Sequence, residues 1–128
     1  MTIAPKKILL IHNDSQERGR LAIMLSRFGH EVKFSCGRES SEQLTQAYDV
    51  VIVDDILSGQ SGLDFIANIS SRQRKKIIYL SPLSSQAAMK MQNLNIYEWM
   101  TKPIDPLKLA VVVCDYFVEF AMEKALPS

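Results

Sequence analysis

Apolar residues follow two rhythms along this chain. Ile8-Leu9-Leu10-Ile11, Val50-Val51-Ile52-Val53 and Ile77-Ile78-Tyr79-Leu80 are unbroken apolar runs, and the stretch from Tyr97 to Met100 is a fourth, interrupted by Glu98; all are too short for core helices and right for buried strands. Between them the apolar period lengthens to about 3.6, the alternation expected of a parallel sheet with crossover helices. Leu21, Met24, Leu25 and Phe28 make one such stripe, opened by a capping box of Asp14 with Glu17 and stopped by Gly29. Val32 and Phe34 alternate with polar residues as a half-buried second strand, and a short helix around Ser40 to Gln46 returns the chain to the third. After a loop containing Gly59, Ser61 with Asp64 caps a helix carrying Leu63, Ile66 and Ala67, and the last helix opens at Asp105-Pro106. Each connection has room for a helix, so the pattern predicts an α/β fold: a doubly wound five-stranded parallel sheet flanked by five helices.

The four apolar runs end on polar residues: His12-Asn13, Asp54, Ser81 and Lys102. In open parallel sheets ligands bind beyond the carboxyl ends of the strands, and these endings would meet there. A carboxylate that accepts a phosphoryl group needs nearby positive charge and hydrogen-bond donors to stabilise the moving oxygens. Asp54 is the candidate phosphoacceptor, with Ser81 and Lys102 as the groups that hold the phosphoryl. Taken singly, Asp54 reads as a loop cap, Ser81-Pro82 as a turn start and Lys102 as a surface lysine. Their convergence favours function.

With 128 residues, the chain has room for a single domain over 1–128 with its core at about 6–122. Fifteen basic and fourteen acidic residues provide no broad field to attract nucleic acid or anionic lipid. Neither a secretory signal nor a membrane-spanning run is present, so a cytoplasmic location is expected. Cys36 and Cys114 have no metal-site spacing and read as reduced thiols, Cys114 buried on a helix. No Gly-rich phosphate loop, nucleotide fingerprint or nucleophile elbow appears, and no acid-base pair marks a self-contained enzyme.

From Lys6 to Phe120 the chain resembles a response-regulator receiver domain of two-component signalling. The resemblance rests on Tyr48-Asp49-Val50-Val51-Ile52-Val53-Asp54, on Gly59 and Gly62, on Ser81, and on Met100-Thr101-Lys102-Pro103-Ile104-Asp105. It implies a flavodoxin-like strand order of 2-1-3-4-5, a cis Lys102-Pro103 bond, and a phosphoryl group delivered to Asp54 by a histidine kinase or phosphotransfer protein. Ser81 and Lys102 would bind that group, and Trp99 would occupy the aromatic switch position. A domain of this kind is a signalling module, catalysing at most its own phosphotransfer and dephosphorylation.

The departure from the family lies at His12-Asn13, where receivers usually carry two acids that hold a divalent cation. Magnesium favours carboxylates and water, so its binding is expected to be weak, with Asn13, Asp54 and the Ile56 backbone as the remaining oxygen donors. Asp14 reads as a helix cap, and His12 either donates towards Asp54 or is a satisfied structural histidine. With Asp54 anionic and Lys102 cationic, the pocket is expected to be near charge balance and Asp54 poorly activated. Ile56 and Leu83, which by the resemblance flank the mouth, would either slow hydrolysis of any acyl phosphate by excluding water or simply pack the loop. His12-Asn13 favours the alternative function, a phosphorylation-independent pseudo-receiver acting as an interaction module.

The final helix carries two apolar stripes. Leu107, Ala110, Val111, Cys114, Val118 and Ala121 are expected to face the core, while Leu109, Val112, Val113, Tyr116 and Phe120 form the second, bordered by Lys108, Asp115, Glu119 and Glu123. The second stripe predicts another contact, either a homodimer or an adjacent output domain joined after Leu126-Pro127-Ser128. The basic cluster Arg72, Arg74, Lys75 and Lys76 lacks interleaved aromatics and reads as a solvated turn rather than a nucleic-acid contact.

Overall fold

The computed structural model describes residues 6–37, 42–82 and 93–125. Its sheet has five parallel strands: β1 (Lys7–Ile11), β2 (Glu31–Ser35), β3 (Val50–Asp54), β6 (Ile77–Ser81) and β7 (Glu98–Thr101), in the order β2-β1-β3-β6-β7. This is the expected order; the higher labels arise because β4 (Ile56–Leu57) and β5 (Gln60–Ser61) form a small antiparallel hairpin in the stretch read as a loop. Every residue of β3 and of β6 is buried, as unbroken apolar strands flanked on both sides by other strands require.

The helices are α1 (Ser15–Arg27), α2 (Glu42–Gln46), α3 (Gly62–Ala67), α4 (Ser71–Arg74) and α5 (Pro106–Ala125). Asp14 caps α1 by accepting from the backbone N–H groups of Glu17 and Gln16, which holds its carboxyl below the usual range. Glu17 turns to Arg20 instead of closing the box. Gly29 ends the helix at φ +86°, a left-handed conformation that glycine adopts without a Cβ penalty. Ser61 caps α3 and Asp105 caps α5.

Two apolar layers sandwich the sheet. Ile8, Leu10, Ile52, Ile78 and Leu80 face α1 and α5, while Leu9, Ile11, Val51, Val53 and Tyr79 face Phe65, Ile66 and Ile69. Several expected core positions move outward. In α1 the buried trio is Leu21, Ala22 and Leu25, and Phe28 is exposed because it sits at the C-cap, where the chain leaves the helical period. At the sheet edge Phe34 is half exposed with the Arg18 guanidinium over its ring, and Glu31 lies 3.9 Å from Lys33.

The two stripes of α5 largely exchange roles, except that Ala110 faces the core as expected and Phe120 of the second stripe is exposed. Leu109, Ala110 and Val113 are buried, with Val112, Tyr116 and Phe117 packed beside them; Leu107, Val111, Val118 and Phe120 are exposed and Cys114 is half-buried. Turning Tyr116 and Phe117 inward removes more apolar area from water than burying Val111, Cys114 and Val118 would. The expected inward position Ala121, and Glu123 of the polar band, lie outside the described side chains.

Candidate functional site

The parallel register brings the ends of β1, β3, β6 and β7 to one rim, where a cavity of about 770 Å³ opens beside Asp54. Asp54 is 3 % exposed. Its Oδ2 accepts the Ile56 N–H at 3.3 Å, and its Oδ1 lies 2.6 Å from Lys102 Nζ and 3.5 Å from His12 Nε2. The Lys102-Pro103 bond is cis, as the resemblance implies.

Lys102 reaches a second acid that sequence reasoning missed. Its Nζ is 2.5 Å from Asp55 Oδ1, so one ammonium bridges two consecutive carboxylates. Burial alone would lower the Lys102 pKa, but its hydrogen bonds to Asp54 and Asp55 outweigh that and hold it above the usual lysine value. The pocket is therefore not balanced: two carboxylates face one ammonium. Their field and, above all, burial push the neighbouring Tyr79 phenol up to about 12.

His12 is buried, and its two ring nitrogens have distinct tasks. Nδ1 accepts the Asp14 backbone N–H at 3.1 Å, which leaves the neutral ring's proton on Nε2, facing Asp54. Asn13 is exposed, and its Oδ1 accepts the Ser58 hydroxyl at 2.8 Å. Ser81 lies one strand over from Asp54, its Oγ accepting the Trp99 indole N–H at 2.7 Å and donating to the Pro82 carbonyl at 3.2 Å. Ile56 is exposed at the mouth, whereas Leu83 lies outside the described residues.

Gly62 fixes how closely the following helix approaches this rim. A Cβ there would lie 2.1 Å from the Asp54 carbonyl oxygen and 2.8 Å from the Tyr79 ring. Only a glycine permits that contact, and its N–H donates to the Asp55 carbonyl at 2.9 Å.

These donors do not fit a divalent cation in this arrangement. The Oδ1 atoms of Asp54 and Asp55 both face an ammonium, the Asn13 oxygen accepts a hydroxyl, and His12 Nδ1 is spent on a backbone N–H. Among the described residues no group of three or more His, Cys, Asp or Glu side chains is placed to hold a metal.

The family model of the response regulator receiver domain matches residues 8–113. The chain belongs to this family. Receiver domains typically bind magnesium at their phosphorylation site, which makes the donor set here atypical. The sensory transduction protein LytT of Bacillus subtilis is 23% identical over 114 residues, covering 86% of this chain and 47% of LytT, so the chain spans about half the length of that relative. Among solved structures, the signal receiver domain of a signal transduction histidine kinase from Syntrophus aciditrophicus matches with a TM-score of 0.79 at 20% identity, covering 96% of each chain. The Vibrio cholerae chemotaxis protein CheY4 matches with a TM-score of 0.71 at 22% identity, over 88% of this chain and 99% of its own. Both support the receiver fold.

The basic cluster is not simply a solvated turn. Arg74 donates to the Ile66 and Ala67 carbonyls at the end of α3, and Lys76 to those of Thr45 and Tyr48 at the end of α2, so two of the four cations satisfy helix C-termini. Among the described residues no helix is long and apolar enough to cross a membrane.

Proposed function

We propose that this receiver domain is a cytoplasmic two-component signalling module whose Asp54 accepts a phosphoryl group from a histidine kinase or phosphotransfer protein. The juxtaposition of a buried carboxylate with Lys102 at 2.6 Å, one strand from the Ser81 hydroxyl, carries this reading. A carboxylate oxygen of Asp54 attacks phosphorus as the donor's phosphorus–nitrogen bond breaks, and the released imidazole keeps the bonding electrons and takes a proton. Lys102 supplies positive charge to the phosphoryl that arrives, and the His12 Nε2–H supplies a hydrogen-bond donor on the side where other receivers use a metal. Ser81 has one hydroxyl proton, now directed at the Pro82 carbonyl, so holding a phosphoryl oxygen re-aims it while Trp99 keeps its bond to the same oxygen atom. That shared atom links the site to the half-buried Trp99 and its surrounding surface.

The exposed stripe Leu107, Val111 and Val118 on α5 supports a homodimer or an adjacent output domain as the recipient of the signal. The relative LytT is about twice as long as this chain, which is compatible with the second arrangement.

A pseudo-receiver reading, which His12-Asn13 already favours, gains a second support in that Lys102 is held between Asp54 and Asp55, closing the carboxylate that would react. Treatment with phosphoramidate, with magnesium and with a chelator, separates the two readings by intact mass. Gain of one phosphoryl group that is lost in Asp54→Asn and persists in the chelator is expected. No modification under either condition, with the protein folded, would leave only the pseudo-receiver.

A further inference from the structure

At the opposite rim of the sheet, the amino-terminal ends of β1, β3, β6 and β7 and the last turns of α5 enclose a second cavity of about 440 Å³. The linear sequence hides its character, because its basic and aromatic residues lie on separate elements far apart along the chain. Folding places Tyr97, Tyr116, Phe117 and Phe120 around the same space as Arg72 and Lys75. Phe120 is 40 % exposed and keeps ring surface that a flat ligand can cover. Tyr116 stacks parallel to it, with centroids 6.1 Å apart, and meets Tyr97 edge-on at 4.9 Å.

The charges around this cavity are unequally committed. Of its two acids, Asp49 accepts the Lys7 backbone N–H at 2.8 Å, and Glu119 adjoins the Tyr97 phenol, whose pKa burial and then Glu119 raise to about 12. Lys76 serves the end of α2, and Lys6 lies over the Phe117 ring at 5.6 Å. Arg72 and Lys75 are exposed and form no ion pair among the described residues. Asp49 is turned to an internal donor while, among the described residues, Arg72 and Lys75 have no acidic partner, so the mouth favours an anion. Four lining cations against two acids leave an excess of two positive charges.

We propose that this cavity binds a nucleoside phosphate, its base covering the ring surface of Phe120 and Tyr116 and its phosphate meeting Arg72 and Lys75. An aromatic platform flanked by uncommitted cations is the chemistry that recognises a base together with its phosphate. The volume falls in the range of small-ligand sites. Inorganic phosphate would forgo the rings, and an uncharged aromatic would forgo the cations. The site is separate from Asp54 and does not depend on phosphotransfer.

The test uses the full chain and calorimetric titration with AMP, adenosine, inorganic phosphate and a 5′-phosphorylated tetra-adenylate. AMP is expected to bind at least about tenfold more tightly than adenosine or phosphate alone, the loss anticipated when one charge-assisted contact or one stacked ring is removed. The double variant Arg72→Ala/Lys75→Ala, in which both replaced side chains are exposed, is expected to weaken AMP binding at least about tenfold without changing the thermal midpoint. Asp54→Asn is expected to bind AMP as the parent does. Equal affinity for AMP and tetra-adenylate assigns the ligand as a free nucleotide, and tighter, more salt-sensitive tetra-adenylate binding assigns it as a strand end. Absence of AMP binding at millimolar concentration, or AMP binding that the double variant leaves intact, overturns the proposal.

Discussion

Replacing His12 with aspartate tests whether the imidazole substitutes for a metal-binding acid. The new carboxylate would face Asp54 from a shorter side chain, so the 3.5 Å that now separates Nε2 from Asp54 Oδ1 is its closest approach. Two unit charges at that separation repel by about 5 kcal/mol at an effective dielectric constant of 20, and rotation of the shorter side chain with entry of water reduces this to roughly 1–3 kcal/mol. For a domain of this length each kcal/mol moves the melting midpoint by about 4 °C, so His12→Asp without metal should melt about 4–12 °C below the parent. Magnesium would relieve the repulsion: at a concentration a hundredfold above its Kd, a bound ion restores about 2.7 kcal/mol. Differential scanning fluorimetry with and without magnesium reads both effects. The parent should show no magnesium-dependent shift and the variant a rise that recovers most of the loss. A parent midpoint that climbs with magnesium as far as the variant's would refute the reasoning, because His12 would then not be occupying the metal's role.

Three further outcomes follow from the geometry. Gly62→Ala, which places a Cβ 2.1 Å from the Asp54 carbonyl oxygen, should lower stability in urea by roughly 1–3 kcal/mol or more and slow phosphoryl uptake through displacement of the Asp54 backbone. Trp99→Phe removes the indole donor from Ser81 Oγ and should cost about 1 kcal/mol, read as a lower urea midpoint with an unchanged m-value; no change would mean that water replaces the indole at no cost. His30 is held below the ordinary histidine pKa of 6.5 by burial, its Nε2 lacking a hydrogen-bond partner among the described residues and its ring set against Phe117. Its contribution to stability is complete above 6.5 and is lost as the pH falls from there through the depressed folded value. The urea midpoint should therefore drop between pH 7 and pH 5, and the drop should shrink in His30→Phe.

Much of this molecule was legible because strand runs and caps are local. The runs ending at Asp54, Ser81 and Lys102 could be seen without any knowledge of pairing, and parallel order then brought them to one rim. Asp55 was missed for a physical reason: neighbouring strand residues point to opposite faces, and a pairing rule based on that alternation discards it. The chain leaves the pleat after Asp54, which lets two consecutive carboxylates share one lysine. An acid doublet opposite a single strand-end lysine was the available signal. Most of α5 presents the other face because its apolar residues cover more than one stripe, and only the sizes of Tyr116 and Phe117 favoured the one that packs inward. Arg74 and Lys76 looked solvated because their carbonyl partners lie on helix ends that the sequence does not mark, and the aromatics beside Arg72 arrive from α5 through the fold alone.

The outermost strand β2 also limits how copies of this domain can meet. Its backbone is open on one side, yet Glu31 and Lys33 present charge there and Arg18 lies across Phe34. Adding another strand along that border would strip water from those ionic groups, so a continuous intermolecular sheet is disfavoured. Crowded solutions of the folded domain should stay free of fibrils, and any self-association should bury Val111 and Val118 while leaving the β2 amide protons exchanging with solvent as they do in dilute samples.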